Sequence, residues 1–203
     1  MCIRDSTQYS LLDGAMSPKK LVARAEELEM PAIAVTDTCN LYGGVEFYKA
    51  TKQSPVHAVY GSQIWVWPDG IDSIDPAKPD GGYSLVFLIE DRVGYKNLCA
   101  LITTAIFDGM HYRPRIDYTL LEKHHEGLIV LTSGLNGPVG RSMLGHSAED
   151  DARRDLTRLV EIIGADNLFV EMQDYGIPRQ LEANALSRKL AGELGLRTVV
   201  TND

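Results

Sequence analysis

Apolar positions along the chain follow two periods, one of short unbroken runs and one of helical spacing. Ser17-Pro18 opens a helix, because serine suits the N-cap and proline fits the first turn, where its missing N–H has no partner to lose. Leu21, Val22, Ala25 and Leu28 continue it at helical spacing, and Pro31 stops it. The run from Ala32 to Thr36 is short, apolar and bounded, which predicts a buried strand ending at Asp37. Further strands are predicted over 56–67 (with a break at Gly61), 83–89, 127–131, 167–172 and 197–201. Helices are predicted over 45–50, 93–106, 150–163 and 178–194, the last two ended by Gly164 and Gly195. The stretch 68–82 is rich in proline, glycine and aspartate and predicts an exposed, poorly packed loop, while Pro114 makes 111–117 irregular. Six strands mostly separated by helices imply an α/β fold with a mainly parallel sheet, open or closed into a barrel.

Composition narrows the function classes. The 203 residues carry 20 Lys and Arg against 28 Asp and Glu, a net charge of −8, which argues against a free-standing domain that coats nucleic acid through a basic face. No apolar run approaches the roughly 18 residues of a membrane span, and the first ten residues have no apolar core or small-residue cleavage site. Cys2, Cys39 and Cys99 are odd in number and far apart, with no CxxC. They point to a reducing compartment, hence a cytoplasmic location, and away from a cysteine-built zinc site. No phosphate-cradling glycine loop and no GxSxG elbow occurs, and Ser133 has no evident triad partners. His124-His125 lies in a charged stretch and reads as a solvated helix end, because adjacent helical residues diverge.

The carboxylates are more informative. Asp13, Asp37, Glu171 and Asp203 each fall at a turn or strand end, and a hard cation such as Mg²⁺ or Mn²⁺ accepts such oxygens. Thr36-Asp37, Thr132-Ser133, Glu171 and Thr201-Asn202-Asp203 all follow apolar runs. The carboxyl ends of parallel strands are where sites gather in α/β folds.

Several segments together carry a family resemblance: Tyr9-Ser-Leu-Leu-Asp-Gly14, Met30-Pro-Ala-Ile-Ala-Val-Thr-Asp37, Asn40-Leu-Tyr-Gly43, Val45-Glu-Phe-Tyr48, Gly94-Tyr-Lys-Asn-Leu98, Arg113-Pro-Arg-Ile-Asp117, Glu126-Gly-Leu-Ile-Val-Leu131 and Thr201-Asn-Asp203. In this order they resemble the PHP (polymerase and histidinol phosphatase) domain, most narrowly that of bacterial DNA polymerase III alpha subunits. The resemblance covers 7–203 and implies a barrel-like PHP fold, a distorted β/α barrel, here truncated at its C-terminus. Met1 to Ser6 do not resemble the family and are expected to be an extraneous leader.

The family's metal-competent members line the barrel mouth with His, Asp, Glu and Cys ligands. The resemblance implies that Asp13 and Asp203 survive from that set, with Asp37 nearby. His-x-His falls on Arg4 and Ser6, the histidine of Thr-Asp-His on Thr38, a glutamate on Gln63, and the cysteine of Ser-Gly-Cys on Gly134. Too few donors then remain to hold a metal, so no catalytic residue and no bound cofactor is expected in this chain. The resemblance further implies a non-catalytic module at the N-terminus of a DNA-extending polymerase. Its partners would be the rest of that chain, the proofreading exonuclease subunit and other replisome subunits, with DNA and Mg²⁺ engaged by the parent chain and no membrane. The alternatives are an active metal-dependent phosphoesterase or proofreading nuclease, and an unrelated βα protein.

Overall fold

The computed structural model describes residues 3–11, 13–72, 82–145 and 147–202. Among them are eight strands and seven α-helices: β1 (Ile3–Asp5), α1 (Pro18–Glu27), β2 (Ala32–Thr38), α2 (Gly44–Thr51), β3 (His57–Val66), β4 (Tyr83–Ile89), α3 (Arg92–Phe107), β5 (Arg115–Ile116), α4 (Tyr118–His124), β6 (Leu128–Leu131), α5 (Pro138–Ser142), α6 (Ala148–Ile163), β7 (Leu168–Met172), α7 (Pro178–Leu194) and β8 (Arg197–Val200). One curled sheet takes the strands in the order β1-β2-β3-β4-β6-β7-β8, and β5 pairs with β3 beyond the β2 contact.

Local chemistry explains the elements. The Ser17 hydroxyl accepts from Lys20 N at the start of α1, and Asp91 and Asp117 cap α3 and α4 by accepting from Gly94 N and Leu120 N. Ile33 and Val35 pack under Leu21, Val22, Ala25 and Phe47, so α1 and α2 cover the outer face of β2. The largest core lies between the sheet and α3, α4, α6 and α7, around Leu85, Phe87, Leu98, Leu128 and Val170. Each such fully buried side chain contributes about 1.5–3 kcal/mol.

The sheet is mainly parallel, but β4 runs antiparallel to both β3 and β6. Among the described residues no helix falls between β3 and β4, and the two strands pair antiparallel. The break expected at Gly61 is absent. β3 runs straight through it, and glycine is needed there because a Cβ would run into the backbone oxygen of Phe87 on the adjoining β4. Of the expected loop 68–82, residues 73–81 lie outside the described residues. Its first residues are half-exposed but pinned: Ile71 N donates to Asp117 Oδ2, and Ile71 O accepts from the buried Arg115.

The segment 1–6, expected to be an extraneous leader, contributes a strand to the sheet in its described part. Ile3–Asp5 is a strand paired in parallel with Ile33, Ala34 and Val35, and Arg4 is only 2% exposed. Two strands escaped the sequence pattern, β1 and β5, which have three and two residues and show no readable alternation.

Candidate functional site: the mouth of the curled sheet

Parallel strands bring their carboxyl ends to one rim. Ser6 follows β1, Thr38 ends β2, Ser133 follows β6, Gln173 follows β7 and Thr201 follows β8. The inverted β4 reaches the same rim with Ser84, the second residue of the strand. A cleft of about 740 Å³ opens there, lined by Ser6, Asp13, Thr38, Gln63, Trp65, Arg113, Asn136, Arg141 and Tyr175 among others.

Side-chain parity decides what each strand offers the cleft, since successive residues of a strand point to opposite faces. Ile33 and Val35 face the helices, so Asp37 does too, and Thr38 faces the mouth. Asp37 is 1% exposed and sealed by the turn that follows β1. Its carboxylate accepts from Thr7 N at 2.7 Å, from the Thr7 hydroxyl at 2.8 Å, and from the Ser10 hydroxyl at 2.7 Å. Ser10 Oγ also accepts from Thr38 N, which fixes the turn to the end of β2. With its lone pairs engaged this way, Asp37 orders the rim without presenting oxygen to the cleft.

Asp13 is exposed and lines the cleft, so the structure separates it from Asp37 in both burial and direction. Asp203 lies outside the described residues. Gln63 Nε2 donates to Ser84 Oγ at 3.1 Å, and Ser84 Oγ donates to Ser133 Oγ at 2.8 Å. This chain of neutral groups spans β3, β4 and the turn after β6. Gly134 sits in that turn at φ +51, a conformation that strains any residue with a side chain, and a Cβ there would also displace the Gln173 side-chain oxygen. Read residue for residue on Ser133-Gly134, the third place of Ser-Gly-Cys falls on Leu135, which offers no donor either.

The sequence pattern did not single out Trp65, Arg141 or Tyr175, which shape the cleft's other wall. The Trp65 ring lies 4.0 Å from the Arg113 guanidinium carbon and 5.7 Å from that of Arg141, a cation–π arrangement assembled from three distant segments. Among the described residues, no three His, Cys, Asp or Glu side chains come close enough to share a metal ion. A hydrolytic zinc or manganese centre takes about three protein ligands per metal, and the rim offers neutral oxygens and amides in their places. The described residues of the rim do not offer that number of ligands.

Burial acts elsewhere on titratable groups. It pushes the Cys39 thiol up to about 12, which keeps it an inert, protonated core group. The buried Tyr83 phenol, hydrogen-bonded to Tyr118 at 2.6 Å, is also raised well above its ordinary range by burial.

The sequence model of the PHP domain matches residues 4–175. The chain belongs to the PHP domain family. The match begins within β1, at Arg4. Among curated proteins, the chain is 38% identical to the DNA polymerase III subunit alpha of Deinococcus radiodurans, over 99% of this chain and 16% of that protein. It is 36% identical to the polymerase III subunit alpha of Treponema pallidum, over 97% of this chain and 17% of that one, and 36% identical to that of Thermus aquaticus, over 99% and 17%. The chain thus spans about a sixth of the length of the curated relatives it matches. Two solved structures share the PHP fold at 14% identity. One is a candidate metal-dependent phosphoesterase from Bifidobacterium adolescentis, with TM-score 0.63, covering all of this chain and 86% of that one. The other is an amidohydrolase from Chromobacterium violaceum, with TM-score 0.62, covering 99% and 86%. No helix among the described residues is long and apolar enough to cross a membrane.

Proposed function

We propose that this chain is the PHP portion of a DNA polymerase III alpha subunit, and that within it the domain is a non-catalytic structural and interaction module. Similarity to alpha subunits from several bacteria along nearly the whole chain supports the parentage. The observation that carries the second half is the composition of the mouth. Arg4, Ser6, Thr38, Gln63 and Gly134 stand where the resemblance puts ligands, and none supplies an imidazole, thiolate or carboxylate. Asp13 and Asp203 are then vestigial ligand positions without a metal, and Asp37 is a neighbour with a purely structural task. The PHP portion in this reading spans 7–203, with β1 paired onto it ahead of Thr7.

In this reading DNA synthesis, its substrates and its Mg²⁺ belong to carboxylates elsewhere in the parent chain. The domain's partners are the polymerase body, the proofreading exonuclease subunit and other replisome subunits in the cytoplasm. The test is direct. After dialysis, the 203-residue chain is assayed for bound metal by elemental analysis and for Mn²⁺-dependent phosphate release from a generic ester. The reading predicts substoichiometric metal and no turnover above blank. Stoichiometric metal with turnover that Asp13→Asn abolishes would instead establish a metal-dependent phosphoesterase.

A further inference from the structure

The first strand carries a cation into the interior of the curled sheet. Arg4 stands opposite Ala34 on the β1–β2 pair, on the inner face, where an apolar cavity of about 170 Å³ is also lined by Val59, Leu131 and Phe169. Its Nε donates to Glu171 Oε1 at 2.6 Å, and the two side chains are 2% and 0% exposed. The same oxygen accepts from the Thr201 hydroxyl and, at 3.4 Å, from Gln173 Nε2. Glu171 N donates to the Thr132 hydroxyl at 2.9 Å. The carboxylate thus joins β1, β7 and the end of β8, and the backbone N–H of the same residue reaches the end of β6.

The position of this cluster gives it a task. β1 and β8 are the two ends of the strand order, and no pairing between them is present among the described residues. A carboxylate removed from water needs a compensating charge and satisfied lone pairs. Glu171 Oε2 is buried with no hydrogen-bond partner among the described residues, so the compensation is concentrated on Oε1, where Arg4 sits. A bound metal ion does two things in such a place: it neutralises carboxylates and cross-links the elements that carry them. A planar guanidinium with several fixed donors can do both.

We infer that the Arg4 guanidinium has taken over a metal ion's place in this mouth. It neutralises Glu171 and clamps the free edge strand β1 to β7 and β8, holding the curled sheet together without bound metal. The inference rests on the reading that the domain holds no metal, and the experiment separates the two.

Thermal unfolding of the 203-residue chain is followed through the cycle Arg4→Met, Glu171→Leu and the double variant, with elemental analysis of each preparation. Arg4→Met leaves the buried Glu171 carboxylate without the Arg4 cation and is expected to lower Tm by about 10 °C, while the double variant recovers at least half of that loss. Arg4→His, which restores an imidazole to the first strand, is expected to fall as far as Arg4→Met and not to recover in Zn²⁺ or Mn²⁺. If the single variants do not fold, Arg4→Lys and Glu171→Gln replace them, with about half the shift and the same non-additivity. Strictly additive losses, or single losses under about 2 °C, would overturn the clamp. Recovery of Arg4→His by metal would overturn the claim that the guanidinium replaces an ion. Metal in the wild-type chain together with strong Arg4–Glu171 coupling would remove the metal-free reading and leave the clamp standing.

Discussion

Asp37 and Glu171 are both buried carboxylates beside the same mouth, and the chain satisfies them in opposite ways. Asp37 is held by neutral donors, one backbone N–H and two hydroxyls from a single turn 27 to 30 positions upstream. Glu171 is held by a full positive charge 167 positions away. The first solution depends on a local turn keeping its shape, the second on two sheet edges being brought together. A third carboxylate, Asp155 on α6, shows what happens with less compensation. Its side chain is 16% exposed and its closest cation, the largely solvated Arg154, stands at 3.5 Å. Burial therefore raises its carboxyl from 3.8 to about 6, against the opposing pull of Arg154.

This comparison can be broken at several points. Apart from the Arg4–Glu171 pair, the largest effect is expected at Asp37. Asp37→Ala removes the acceptor for three buried donors and should lower unfolding stability by about 3 kcal/mol, read from urea denaturation with an unchanged m-value. A loss under about 1 kcal/mol would mean that the turn at 7–10 does not depend on it.

Asp155 carries the opposite sign. The folded chain binds this proton more tightly than the unfolded one. The group's stabilising contribution is therefore full below about pH 3.8 and is lost as pH rises towards about 6. Asp155→Asn should accordingly raise stability at pH 7 by about 2 kcal/mol and flatten the stability profile between pH 4 and 6. A profile identical to wild type in that window would contradict the assignment.

Smaller effects probe the turn itself. Ser10→Ala loses one bond to Asp37 and the acceptor for Thr38 N, and should cost about 1 kcal/mol in the same denaturation assay. Asp13→Asn alters an exposed group and should change stability by less than about 0.5 kcal/mol. A larger change would mean that Asp13 is coupled to the rim.

How much of this was legible in the sequence follows from the range of the interactions. The strand at Ala32–Thr38 and the helix after Ser17-Pro18 are local patterns, an apolar run bounded by Pro31 and a capped amphipathic stretch, and both could be read directly. β1 could not be, because three residues with an arginine at the inner position show no strand period. Only the pairing with 33–35 makes them a strand. The inversion of β4 was equally hidden, since no residue within β4 announces the direction in which it pairs with β3 and β6. At the site, the missing ligands at Thr38 and Gln63 were visible only through the family resemblance. Asp37's true direction needed the parity of β2 against its helices. Arg4 with Glu171, and Trp65 with Arg113 and Arg141, are meetings of distant segments that no local period announces.

The central claim is that protein groups, and no bound metal, hold the mouth together. Its most direct test is the melting temperature of the dialysed 203-residue chain in chelator against the same chain with added Mn²⁺ or Zn²⁺. The account predicts curves that coincide within about 1 °C. A rise of about 5 °C or more at saturating metal, the size expected when a ligand at 100 times its Kd binds only the folded state, would contradict it.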